Sequence, residues 1–151
     1  MSKRTAEGEA LTDLILEIFR INGEMLDAGN RIAMPHGLTS ARWQVMGAIE
    51  MADQPLTASQ IARRMGLARQ GVQRIINDLE KLEMVSPGNN LDHKRAPLFS
   101  ITRSGAKAMA KIDQSQTDWV NALSDGLGER KLKQTLQLLQ TILERSRDPQ
   151  I

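Results

Sequence analysis

The sequence predicts a mainly α chain carrying one small β-hairpin. Three observations support this. Hydrophobic residues make up 40% of the 151 positions, but aromatics only 3%, so the core must be built from Leu, Ile, Val, Met and Ala. That palette suits helices better than stacked sheets. Apolar residues recur at helical spacing over most of the chain, and the pattern shortens to strand-like alternation only around 85–101.

Taken in order, Leu11, Leu14, Ile15, Ile18, Ile21, Met25 and Leu26 mark a first helix over about 9–33. Met34-Pro35-His36-Gly37 ends it, because Pro cannot continue a helix and Gly permits the turn. Thr39 is placed to cap a second helix bearing Trp43, Val45, Met46, Ile49 and Met51, which Asp53-Gln54-Pro55 closes. Thr57-Ala58-Ser59-Gln60 fits a capping box. It opens a short helix, with Ile61, Ala62 and Met65 inward, that stops at Gly66. A longer helix follows over about 68–82, with Val72, Ile75, Ile76, Leu79 and Leu82 on its apolar side.

Two short strands are expected at 85–89 and 97–101, joined by Asn90-Leu91-Asp92-His93-Lys94-Arg95. Pro87 and Gly88 restrict the first to a sheet edge or a bulge. Thr102-Arg103-Ser104-Gly105 reads as the cap of a further helix running to about Leu123 through Ala106, Met109, Ile112 and Trp119. Gly126 and Gly128 punctuate, and a last helix carries Leu132, Leu136, Leu139 and Leu143 at near-heptad spacing.

A short helix, a tight turn, a longer helix and then a hairpin form the winged helix-turn-helix arrangement. The whole chain, 1–151, is thus expected to hold a DNA-binding lobe over 38–103, with dimerisation helices at 9–34 and 104–147. Charge agrees with this division. Between Thr57 and Arg103 stand eight basic residues and four acidic ones, a balance of +4, whereas the remainder balances at −2. A basic segment on a neutral frame is what phosphate binding requires.

On the longer helix, Gln70, Gln73, Arg74 and Asn77 fall opposite the apolar side, with Arg69 on the flank. Arg reads guanine, Gln and Asn read adenine, and all three also hold phosphates. A bland amphipathic helix would usually mix Glu and Lys on that face, yet acidic residues begin only at Asp78. His93, Lys94 and Arg95 make the hairpin tip a cationic finger suited to a minor groove. Ser59, on the short helix, is a further candidate DNA contact.

With these features in place, the chain resembles the MarR family of bacterial regulators over nearly its full length. The resemblance rests on Leu56-Thr57-Ala58-Ser59-Gln60-Ile61-Ala62, on Met65-Gly66-Leu67, and on Ile76-Asn77-Asp78-Leu79-Glu80-Lys81-Leu82. The wing Asp92-His93-Lys94-Arg95-Ala96 leading to Ile101-Thr102-Arg103-Ser104-Gly105 completes it. Two departures stand out. Ala68 occupies a position where Ser or Thr is usual, which removes a helix cap. His93 stands where Asp commonly precedes the two wing basic residues, so an internal salt bridge to Arg95 is expected to be rearranged.

The resemblance implies a homodimer whose first and last two helices intertwine, with two lobes straddling a pseudo-palindromic double-stranded DNA operator. The apolar stripes on the first and last helices independently ask for a partner chain, since one small lobe could not cover them. The resemblance further implies a repressor responding to a small aromatic or phenolic effector. Met34, His36, Arg42, Trp43, Met46 and Trp119 are candidate lining residues. Each also has a plainer reading, as a core anchor, a gap-filler or a solvated surface group.

The absence of cysteine excludes disulfides, thiolate metal sites and thiol redox sensing. No run of 18 apolar residues and no signal peptide is present, so a cytoplasmic protein without membrane contact is expected. No enzyme motif, cofactor loop or metal spacing appears. The reading is of a DNA-binding transcription regulator; the alternative is a winged-helix protein-interaction module that does not bind DNA.

Overall fold

Local capping chemistry sets most of the element boundaries in the computed structural model, which describes residues 3–149. Helix α1 spans Ala6–Ala33 and begins before the expected position because Thr5 caps it, its Oγ1 accepting the Gly8 N–H at 3.1 Å. Glu7 and Glu9 in the first turn complement the helix dipole. A single 3-10 turn, η1 (Met34–His36), ends the helix, and Gly37 follows at φ 83°. Helix α2, Ser40–Ala52, is capped by Thr39, as the sequence predicts. Helix α3, Ala58–Met65, carries the full capping box between Thr57 and Gln60 and stops at left-handed Gly66. Helix α4, Arg69–Lys81, starts after Ala68, which supplies no side-chain cap.

Strands β1 (Val85–Gly88) and β2 (Leu98–Ile101) pair antiparallel, with Val85 opposite Ile101 and Pro87 opposite Phe99. Phe99 directs both backbone polar groups away from Pro87. It donates its N–H to the Leu56 carbonyl at 2.8 Å and accepts the Leu56 N–H at 3.1 Å. Pro87 is therefore asked for no ladder bond, and the strand needs no bulge to accommodate it. The pairing of Leu56 with Phe99 fastens the wing to the start of α3.

Helix α5 spans Arg103–Ser124. Thr102 Oγ1 accepts the Gly105 N–H at 3.0 Å and donates to the Glu83 carbonyl at 2.6 Å. Gly105 has no room for a side chain, since a Cβ there would lie 2.2 Å from the Met84 carbonyl oxygen. Gly105, Ala108, Met109 and Ile112 face inward. Ala106, one of the positions that mark this helix in the sequence, is exposed, because it lies roughly 120° around the helix from Ile112.

The chain divides into two units, one through Asp113 and one from Gln114. The first holds the core, in which Leu38, Met46, Leu56, Ile61, Ile76, Leu79, Phe99 and Ile112 are fully buried. Only the C-terminal turns of α1 join it, through Ala28, Gly29 and Ala33. Gly29 is required there, because a Cβ would meet Ser40 Oγ at 2.4 Å. Asn30 Oδ1 accepts the Ser40 N–H at 2.8 Å, so α1 clasps the first turn of α2. Towards the N-terminus of α1, Leu11, Ile15, Leu16 and Phe19 are exposed, Phe19 by 68%.

The second unit comprises the end of α5, a turn with Gly126 and Gly128 at positive φ, and helix α6 (Glu129–Ser146). No residue of α6 is buried. Among the described residues, no helix is long and apolar enough to cross a membrane.

Glu83 stands between α4 and β1 at φ 56°, a left-handed conformation that a residue with a Cβ adopts at a cost. Its side chain is exposed and enters no hydrogen bond or ion pair among the described residues. Glu83→Gly should therefore stabilise the fold by about 0.5–1 kcal/mol after the entropy penalty of glycine is counted. An unchanged or lowered denaturation midpoint would show that this position carries no strain.

Candidate nucleic-acid interface

Three separate elements of the first unit carry the polar and cationic candidates. The first is α4, which turns Val72, Ile76 and Leu79 into the core and leaves Arg69, Gln70, Arg74 and Asn77 exposed. Gln73 is half-buried and donates from Nε2 to Asn77 Oδ1 at 2.9 Å, so these two amides hold each other. The second element is the start of α3, where Ser59 is half-buried within the capping box. The third is the wing.

Asn90 organises the wing, a role not anticipated from the sequence. Its Nδ2 donates to the Ala96 carbonyl at 2.9 Å and its Oδ1 accepts the Asp92 N–H at 3.1 Å. The Ala96 N–H reaches the His93 carbonyl at 3.0 Å, closing the tip into a turn. The sequence signal was the Asn89-Asn90 pair, since Asn side chains bond their own backbone two residues on. No ion pair joins Asp92 to Arg95. The rearrangement expected at His93 thus takes the form of an amide clamp in place of a salt bridge.

Ser59, Arg69, His93 and Arg95 line one cleft of about 760 Å³, together with Thr57, Gln60, Asn90 and Asp92. Gln73 joins Ser59, Arg69 and Arg95 around a narrower recess beside it. Lys94 lines a separate recess of the wing, with Gly88, Asn89 and Leu91. Gln70, Arg74 and Asn77 lie further along α4, outside the cleft. The ion pairs among the described residues are Arg20–Glu17, Arg42–Asp78 and Lys133–Glu129. None of them neutralises Arg69, Arg74, Lys94 or Arg95.

A MarR family model matches residues 36–96, the span from the end of η1 through the wing. An uncharacterized protein of Mycobacterium tuberculosis is 31% identical over 135 residues, covering 89% of this chain and 93% of its own length. The chain belongs to the MarR family. Solved structures share the fold. The transcriptional regulator BldR from Sulfolobus solfataricus superposes with a TM-score of 0.81 at 18% identity, over 94% of this chain and 99% of its own. A mutant MarR from E. coli complexed with operator DNA gives 0.78 at 21% identity, over 89% and 96%.

Within this MarR-family chain the six candidate effector residues differ in exposure and engagement. Met34 is exposed and His36 half-buried, both on η1. Trp43 packs half-buried against the core. Met46 is fully enclosed in the core, with no surface to offer a ligand in this structure. Arg42 is engaged by Asp78 at 3.2 Å. Trp119 is half-buried and belongs to the second unit.

Proposed function

We propose that this chain is a homodimeric, sequence-specific DNA-binding transcription regulator acting in the cytoplasm as a binding protein rather than an enzyme. The observation that carries the reading is the convergence of Ser59, Arg69, His93 and Arg95, from three elements, on one cleft whose cations make no ion pair among the described residues. Unneutralised guanidinium groups favour phosphate, and the uncapped first turn of α4 offers free N–H groups and a positive dipole end to the same ligand. Gln70, Arg74 and Asn77 are assigned to base edges in the major groove. Arg69 and Ser59 are assigned to the backbone, and Lys94 and Arg95 on the wing, with His93, to the adjacent minor groove. The Gln73–Asn77 bond presets both amides, so Gln73 acts partly by orienting Asn77.

Two lobes related by a two-fold axis would set their α4 helices about 34 Å apart and read a pseudo-palindromic site. The exposed apolar residues of α1 and α6 support that pairing. The bound relatives support the duplex as partner, one being a MarR complexed with operator DNA. Family membership favours repression relieved by a small aromatic or phenolic effector.

Selection from a random duplex pool tests the reading. A recovered palindromic consensus is expected, with affinity falling by about 0.9 log units per phosphate contacted for each tenfold rise in salt. Recovery of no consensus would leave a winged-helix protein-interaction module as the better account. On the selected duplex, Arg74→Ala should cost about 1–3 kcal/mol and relax preference at one base position. A uniform loss across sequences would reassign Arg74 to the backbone.

A further inference from the structure

Asp78 presents a difficulty for any helix that approaches DNA. It lies one turn beyond Arg74 at the i,i+4 position, so the two side chains share a stripe on α4. A free carboxylate there would repel phosphate and would offer Arg74 an intrahelical partner. Lys81, at i,i+3 from Asp78, is the other cation of α4 within reach on that side, and it makes no ion pair among the described residues. The carboxylate is taken from outside the helix. Arg42 Nη2 donates to Asp78 Oδ2 at 3.2 Å, from a residue distant in sequence on α2.

Arg42 is well rooted for this task. Its backbone N–H is held by Thr39 Oγ1 at 3.3 Å, and the same turn of α2 is clasped to α1 by Asn30 through the Ser40 N–H. The Arg42 side chain is 30% exposed and that of Asp78 47%, so the arginine is the more enclosed partner. Arg74, by contrast, is exposed and makes no ion pair among the described residues.

We propose that Arg42 is a positioning residue for DNA reading: it holds the Asp78 carboxylate neutralised and away from Arg74, leaving that guanidinium free for the duplex. The proposal rests on the DNA-binding reading above. As an exposed-edge pair, Arg42–Asp78 contributes little to stability, so its removal should leave the fold intact. Its consequence is felt in what Arg74 is free to do.

The test uses the selected duplex and five variants of the full chain: Arg42→Ala, Asp78→Asn, Arg74→Ala, and the doubles Arg42→Ala/Asp78→Asn and Arg42→Ala/Arg74→Ala. Arg31→Ala, which removes an equal charge from α1, is the control. Arg42→Ala should weaken binding about tenfold with an unchanged melting temperature. Arg31→Ala and Asp78→Asn should stay within about threefold of the unaltered chain. Asp78→Asn should rescue Arg42→Ala, and Arg42→Ala should add little once Arg74 is absent, because both act through the same contact.

If Arg42→Ala binds as the unaltered chain does, the proposal falls while the DNA reading stands. It also falls if Asp78→Asn fails to rescue, or if the losses from Arg42→Ala and Arg74→Ala simply add, since Arg42 would then act independently of Arg74. An unaltered chain that selects no duplex at all would overturn both.

Discussion

Replacing Leu136 and Leu139 together by aspartate should give a monomer that no longer holds a two-half-site operator. Helix α6 buries none of its residues, and Leu132, Leu136, Leu138 and Leu143 are each about half exposed, at 45%, 56%, 52% and 50%. An exposed leucine is ordinary, but a run of them on one amphipathic helix marks a surface that a partner covers. Placing two carboxylates there opposes association twice, through lost apolar burial and through the desolvation of unpaired charge. Without the second lobe, the gain from binding two half-sites at once disappears, a factor of about 10²–10⁴ in affinity. Light scattering reports the mass and a duplex titration the affinity. An intact dimer would remove this face from the interface, and a helix lost by circular dichroism would show that Leu139, half-buried within the chain, is needed for α6 itself.

Phe99→Ala should destabilise the first unit by about 3–5 kcal/mol, a large share of the 5–15 kcal/mol that typically holds a domain together. Phe99 is only 2% exposed and is among the largest side chains in the core. It is also where the wing meets the body, because its backbone pairs with Leu56 just before α3. A cavity at this position should therefore loosen the wing along with the core. Chemical denaturation gives the energy, and hydrogen exchange at the Leu56 and Phe99 amides gives the location. A loss below about 1 kcal/mol would mean the core repacks around the gap.

Much of the fold was legible residue by residue. Thr39, Thr57 and Thr102 act as helix caps where their sequence context places them. Gly37 and Gly66 adopt the left-handed turns that end η1 and α3. These are short-range features, decided by hydrogen bonds spanning three or four residues, so the residues that make them are neighbours in the sequence. Ala106 marks helix α5 in the sequence but does not join its inward face: spacing of three drifts around a helix, and Gly105, Ala108, Met109 and Ile112 keep phase with the core.

The candidate site was legible in its residue types but not in its connections. Ser59, Arg69, His93 and Arg95 stand out by chemistry; that they share one cleft while Lys94 lines another recess depends on how the wing folds back. That fold-back rests on Leu56 pairing with Phe99 and on Asn90 clamping Ala96.

Helix α4 shows the same division. Its limits to within a residue, its inward Val72, Ile76 and Leu79 and its outward Gln70, Arg74 and Asn77 follow from periodicity and were determined by the sequence alone. Gln73, expected outward, is half-buried, and Leu82, expected on the apolar side, is exposed beyond the helix end. Which of its charges are available was decided only by tertiary structure. Asp78 looks like an impediment on α4 until Arg42 reaches it from α2, across a separation of 36 residues. Capping and periodicity are governed by the local helix geometry that the sequence spells out directly. A charge pair between two helices depends on the packing that brings them together, which no local pattern encodes.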